Sequence, residues 1–299
     1  MKTRRLLLPA TVACMLTACM PRTQTASDDL APLTDNIRFG ESVLVHGDTL
    51  LVASFGSEKL DPLNREGNGY ILLFEDTLSR TLVPADGSLS APKGMLIVNG
   101  HLFVADVGKV MVFDLGDPRS TPQTIAFPDG ELFVNDMALD SATRTLYITV
   151  TNTGNIYSLN VSDPAQASEV PLTFYTNVPG ANGIVVKDGS MWIASYPADG
   201  VTVPENVIYH IPDIASPRIV PLLDRPGQYD GLALSPDGAT LYFTDWTNPK
   251  VGSVDLTTGQ IEILPVTDTL TGPARIQLGD SILYIPDLPT SRVVRYRLP

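Results

Sequence analysis

Cysteine is almost missing from this 299-residue chain: only Cys14 and Cys19 occur, both within the first 19 residues. Once a leader is removed, no disulfide can form within one chain and no thiol nucleophile is available. Histidine is scarce as well. His46, His101 and His210 are the only three, and they fall away from the strand openings described below. His101, in Asn99-Gly-His-Leu, reads as a turn or strand-edge residue. Positive charge is also in short supply, with 20 Lys and Arg against 33 Asp and Glu and a formal charge of −13. An acidic chain repels phosphate, which argues against nucleic-acid binding. No Gly-x-Ser-x-Gly is present, so a nucleophile elbow is excluded. Long helical patterns are few.

One apolar run stands out, at 6–16. Lys2, Arg4 and Arg5 precede it, and it is too short to span a bilayer, the pattern of an export signal at 1–18. Leu16-Thr-Ala-Cys19 resembles a bacterial lipobox, which implies cleavage before Cys19 and lipidation of that residue. The competing reading is an ordinary secretion signal cut nearby. Residues 19–32 are polar and aperiodic and read as a flexible tether. By resemblance to bacterial lipoproteins, Met20 in place of an Asp implies the periplasmic side of an outer membrane. Membrane contact is then through the lipid anchor alone.

What the chain has in quantity is a repeat. Glu41-Ser-Val-Leu-Val, Lys93-Gly-Met-Leu-Ile-Val, Asn135-Asp-Met-Ala-Leu, Asn182-Gly-Ile-Val-Val, Asp230-Gly-Leu-Ala-Leu and Ala274-Arg-Ile-Gln-Leu recur at spacings of 52, 42, 47, 48 and 44 residues. Apolar residues alternate within each, the period of a half-buried strand. Tight-turn signals follow, in Val98-Asn-Gly-His101, Lys187-Asp-Gly-Ser190, Ser235-Pro-Asp-Gly238 and Leu278-Gly-Asp-Ser281. A period near 45 predicts an all-β, six-bladed β-propeller of four-stranded antiparallel blades over 33–299. The sixth repeat supplies only three strands before the chain ends, so segment 33–39 is expected to complete it. Strands are expected at 170–175 in the third blade, at 206–211 and 218–223 in the fourth, and at 274–278 in the sixth.

The residue that opens each first strand points toward the central channel. These are Glu41, Lys93, Asn135, Asn182, Asp230 and Ala274, five of them polar or charged. A solvated mouth with no ligand would look similar. Converging Glu, Asn, Asn and Asp oxygens are also what a hard cation requires.

Four short motifs in blade order resemble the propellers of the senescence marker protein, gluconolactonase and luciferin-regenerating enzyme family. They are Phe39-Gly-Glu-Ser42, Asn135-Asp136, Ala181-Asn-Gly183 and Tyr229-Asp-Gly231. The resemblance covers essentially the whole expected domain. It implies a divalent cation, calcium first and zinc as the alternative, on Glu41, Asn182 and Asp230. It places Asn135 beside metal and substrate, with Asp230 also as general base. The implied activity is metal-assisted hydrolysis of a lactone or ester, on a small polar substrate. Three positions depart from the family pattern: Phe133 replaces a substrate-binding Arg, Val43-Leu-Val45 replaces Pro-Val-Trp, and Lys93 opens the second blade. Lys93 has two readings at the axis: it binds an anionic substrate, or it pairs with Glu41 or Asp230 and takes the cation's place. A third reading lays it along the channel wall.

Two long connections, 55–68 and 196–205, belong to opposite blades and to the face of the strand openings. They are either walls of a cleft or tolerated insertions. Phe55, Tyr196 and Trp246 stand at the mouth, where a ligand could stack. The rival to an enzyme is a non-catalytic envelope propeller that binds a sugar, a peptide or a protein partner.

Overall fold

The computed structural model describes residues 30–299. The expected leader at 1–18, Cys19 and most of the 19–32 tether lie outside the described residues. Six four-stranded antiparallel sheets form, each from consecutive strands except the last. The chain is a six-bladed β-propeller. Its first strands are Gly40–His46, Met95–Val98, Val134–Asp140, Ala181–Lys187, Tyr229–Leu234 and Gln277–Gly279.

Turn chemistry fixes the register. Val98 pairs with His101 across Asn99 and Gly100, both at positive φ, and Lys187 pairs with Ser190 across Asp188 and Gly189 in the same way. This left-handed pair suits the twist of a two-residue hairpin. In the sixth blade Gly279 pairs with Ile282, so Asp280 and Ser281 make the turn, one place later than the sequence suggested. The Asp that ends several second strands also has a task. Asp106 accepts from the Ser90 and Ala91 N–H groups, and Asp287 accepts from those of Thr271 and Gly272. Each thereby satisfies the chain entering its own blade, whose backbone donors would otherwise be buried unpaired.

Packing follows the ring. Six apolar clusters each lie between two neighbouring blades, such as Leu51, Ile71, Met95 and Leu102 between the first and second. Burial is thus divided among six interfaces, all of which need the ring closed. Closure comes from Leu30–Leu33, which pairs with Arg292–Arg297 as outer strand of the sixth blade. The expected donor, 33–39, is corrected: the strand starts three residues inside the stretch read as tether and ends at Leu33. Beyond it Asp35 accepts from the N–H and Oγ of Ser79, and Asn36 turns at φ 55°. That turn leaves no extended backbone for pairing.

Other boundaries move for similar reasons. Asp163 caps a short 3-10 turn, Pro164–Glu169, and Pro171 lacks an N–H, so the fourth strand of the third blade is Thr173–Asn177. In the fourth blade the last two strands shrink to Tyr209–Ile211, which stops at Pro212, and Val220–Pro221, which follows Pro217. Leu33 is 2% exposed in the interface of blades six and one. Leu33→Ala is expected to cost about 2–5 kcal/mol. Thermal and denaturant unfolding measure that loss, and an unchanged midpoint would contradict closure by this strand.

Candidate functional site

Four of the six first strands begin with a break in register against the second strand. The shifts fall between Gly40 and Ser42, Val134 and Met137, Ala181 and Ile184, and Tyr229 and Leu232. Inside them stand Glu41, Asn135, Asn182 and Asp230. A bulge turns its extra residue out of the pleat, and here it turns four oxygen-bearing side chains at equivalent places. Lys93 opens its blade in a similar way: its N–H donates to Ala105 O while Gly94 O accepts from Ala105 N–H, so two residues face one, but the side chain turned out is an ammonium.

The strand openings are tied blade to blade. Ser42 Oγ donates to Lys93 O (2.5 Å), Gly94 N–H to Asn135 O (2.8 Å), Thr149 Oγ1 to Asn182 O (2.6 Å), Thr244 Oγ1 to Ala274 O (3.0 Å) and Arg275 N–H to Glu41 O (3.2 Å). At the remaining joint, a Cβ on Gly183 would collide with Asp230 O. Glycine is needed there for close approach of two backbones.

One residue farther along the strands lies an ion pair the sequence reading missed. Arg275 Nε donates to Asp136 Oδ1, joining blade six to blade three across the axis, and Arg275 Nη1 donates to Val43 O (3.0 Å). Asp136 Oδ2 accepts from Ile184 N–H (3.1 Å). The equivalent positions on the other blades are Ser42, Gly94, Gly183 and Gly231, small enough to leave room for the guanidinium. The signal is present in Ala274-Arg275, but the repeat aligns Ala274 with the ring residues, and Ala274 is apolar and fully buried.

Above this pair the mouth residues are enclosed: Glu41 is 4% exposed, Asn135 2%, Asn182 1% and Asp230 7%. Glu41 Oε2, Asn135 Oδ1, Asn182 Oδ1 and Asp230 Oδ1 are all buried without a hydrogen-bond partner. An unsatisfied buried acceptor costs about 1–3 kcal/mol, so four together mark a place for an ion, a ligand or ordered water. Among the described residues no three His, Cys, Asp or Glu side chains cluster as metal ligands. A cation here would be held by two carboxylates and neutral amide oxygens, a donor set that suits calcium better than zinc.

Charge reinforces this reading. Burial first, then the Asp230 and Asp136 carboxylates, raise the Glu41 pKa well above the usual carboxylate range, against Lys93 and Arg275. Burial and then Asp136 push Asp230 up to about 7. The Trp246 indole N–H favours charged Asp230, yet neither Nε1 nor Oδ1 closes a hydrogen bond.

Lys93 is fully buried. Its ammonium donates to Ala91 O (2.8 Å) and sits 5.6 and 5.2 Å from the Phe55 and Phe133 ring centroids. Among the described residues it forms no ion pair, so it does not pair with Glu41 or Asp230 as one reading required. Burial lowers its pKa to about 8, opposed by Asp106, Glu41 and Asp61. Tyr196 and Trp246 meet edge to face, 6.1 Å apart, beside Asp230. His101 lies at a hairpin, its Nδ1 against Asn99 O.

No family model matches the sequence, and no curated protein matches it. Solved structures do. A nidogen/laminin complex aligns at TM-score 0.62 and 16% identity, over 86% of this chain and 88% of the other. A structural-genomics protein of unknown function from Bacteroides thetaiotaomicron aligns at TM-score 0.63 and 14% identity, over 91% and 72%. At such identities the likeness establishes the propeller fold alone.

The shifted groups predict an unusual pH dependence. Asp230 holds a proton in the native state that the unfolded chain releases between 3.8 and about 7. Its stabilising contribution is complete below 3.8 and lost as pH rises through about 7. Lys93 has the opposite sense: its contribution is present above 10.5 and lost as pH falls through about 8. In chelator, the cluster's contribution should therefore be lowest between about pH 7 and 8. Melting temperatures across pH 4–10 test this against Asp230→Asn, which should show a shallower fall from pH 4 to 7, the Glu41 contribution remaining. Parallel curves for the two proteins would contradict it.

Proposed function

We propose that the protein is a divalent-metal-dependent lactonase or esterase of the senescence marker protein and gluconolactonase type. The observation that carries this reading is the ring of four unpartnered buried oxygens, on the residues that the family resemblance singles out. Glu41, Asn182 and Asp230 would hold the cation, calcium in preference to zinc. When bound, it supplies Lewis-acid polarisation of a carbonyl and lowers the pKa of water.

The chain's own groups do the rest. Water attacks the carbonyl carbon of a small lactone or ester, and Asp230 accepts its proton. The carbon–oxygen bond to the leaving group then breaks, and Asp230 returns the proton to the departing alkoxide. Asn135 orients the substrate through its amide. Lys93 has used one of three ammonium donors on Ala91 O and keeps others for a substrate oxygen. The Asp136–Arg275 pair closes the channel beneath, which limits water to one side.

Lipidation at Cys19, with the domain tethered to an outer membrane and facing the periplasm, belongs to the same proposal. Leu30 pairs with Arg295 and Leu33 with Val293, and Arg292 starts its strand at the mouth end beside Asp287. The chain thus enters the ring from the face opposite the mouth, and an anchor there turns the mouth away from the bilayer.

A second reading, a non-catalytic propeller that binds a protein partner, is favoured by the similarity of the fold to a chain in the nidogen/laminin complex. Calorimetry separates the two. The enzyme reading expects one calcium equivalent per chain, lost in Asp230→Ala and Asn182→Ala, and at least about 100-fold slower lactone or ester hydrolysis in Asp230→Ala. A wild-type protein that takes up no divalent ion and cleaves no substrate would favour the partner-binding reading.

A further inference from the structure

Among the described residues the nine large apolar side chains most open to solvent are not spread evenly. Five of them, Leu60, Leu63, Leu132, Val201 and Val203, lie on connections 55–68, 128–133 and 196–205. By topology these three connections border the mouth. The other four, Leu78, Phe174, Ile261 and Ile263, lie on outer strands, where single exposed apolar groups need no explanation; five gathered on the loops around one opening do.

Beneath that rim lies an apolar wall. Phe55, Val107 and Leu288, from blades one, two and six, form one buried cluster, and the half-buried rings of Phe39 and Trp246 pack on it. Phe39 is held there in an unfavourable backbone state. Its φ is 53°, the left-handed region that a bulky residue rarely enters, and it is fixed by its N–H donating to Ser291 Oγ and its carbonyl accepting from Phe55 N–H. Strain of this kind persists where the surroundings impose it and concentrates at ligand sites. It sits immediately before Gly40-Glu41, so the same backbone that aims Glu41 into the ring keeps Phe39 on the wall.

We infer that the substrate is polar only at its reacting end and carries a hydrocarbon arm, alkyl or aryl, that lies on the wall between Phe39 and Trp246 and reaches the Val201 and Val203 rim. This rests on the hydrolase reading and narrows the small polar substrate expected from the sequence. A polyhydroxylated lactone would leave its hydroxyls facing hydrocarbon, at a cost for each one desolvated. An alkyl arm gains with every methylene buried.

The test uses 5-alkyl-pyrrolidin-2-ones, lactam analogues that resist ring opening, with arms of one to eight carbons. Their binding to the calcium-treated protein is measured by calorimetry, beside turnover of the matching γ-lactones and of glucono-δ-lactone. Affinity is expected to rise about fourfold per methylene over the first several carbons. The slope should flatten in Phe39→Gly, which removes the ring and suits the positive φ, and in the exposed pair Val201→Ser, Val203→Ser. Affinity independent of arm length, or a slope unchanged in both variants, overturns the inference. So does turnover of glucono-δ-lactone with no binding of alkyl analogues, an outcome that leaves the hydrolase reading standing. Length-dependent lactam binding without any turnover supports the arm and rejects hydrolysis.

Discussion

Six strands that begin around one axis must bring six sets of polar groups together where water has little room, and the rest of this molecule follows from that convergence. At one level the protein answers with charge: Arg275 reaches from the sixth blade to Asp136 on the third, with glycine or serine at the other positions. Such a pair contributes modestly to stability while both partners remain, and loss of either leaves a buried charge. One residue nearer the mouth the answer differs. There Glu41, Asn135, Asn182 and Asp230 each leave a buried oxygen without a hydrogen-bond partner, and a fully buried ammonium close by is engaged by Ala91 O.

That contrast sets the two levels of the channel apart. The ion pair is a closed electrostatic unit with its lone pairs used by Ile184, Met137 and Arg275. The oxygen ring is open, with its carboxylates pushed toward the protonated form first by burial and then by neighbouring carboxylates. A cation would reverse both effects, since it supplies the missing partner and favours ionised carboxylates. The bulges that break four ladders, and the left-handed Phe39 beside one of them, are local costs borne at this level.

Much of this could be read from the residues. The 45-residue period, the Asn-Gly and Asp-Gly turns and the strand-opening residues Glu41, Asn135, Asn182 and Asp230 were legible because each is a local signal repeated in phase. The ion pair was not. Arg275 and Asp136 are 139 positions apart, and only the ring's curvature brings them together. Ring closure was read three residues late, because the Asp35–Ser79 bonds that end pairing at Leu33 join segments remote in sequence. The place of the Lys93 ammonium depends on Phe55 and Phe133, which come from other blades, so the alternatives at the axis stayed open until the fold resolved the pairing. Bulges leave no mark in composition. Their position at all four oxygen-bearing residues is visible only from strand pairing.

The central claim is that the four unpartnered oxygens form a cation site, and a crystal structure of the protein grown with calcium, with anomalous data, tests it most directly. The account predicts one peak bounded by Glu41, Asn182 and Asp230 oxygens at about 2.3–2.6 Å, with Lys93 still on Ala91 O. A mouth without an anomalous peak, in which the Lys93 ammonium has swung onto Glu41 or Asp230, would contradict it.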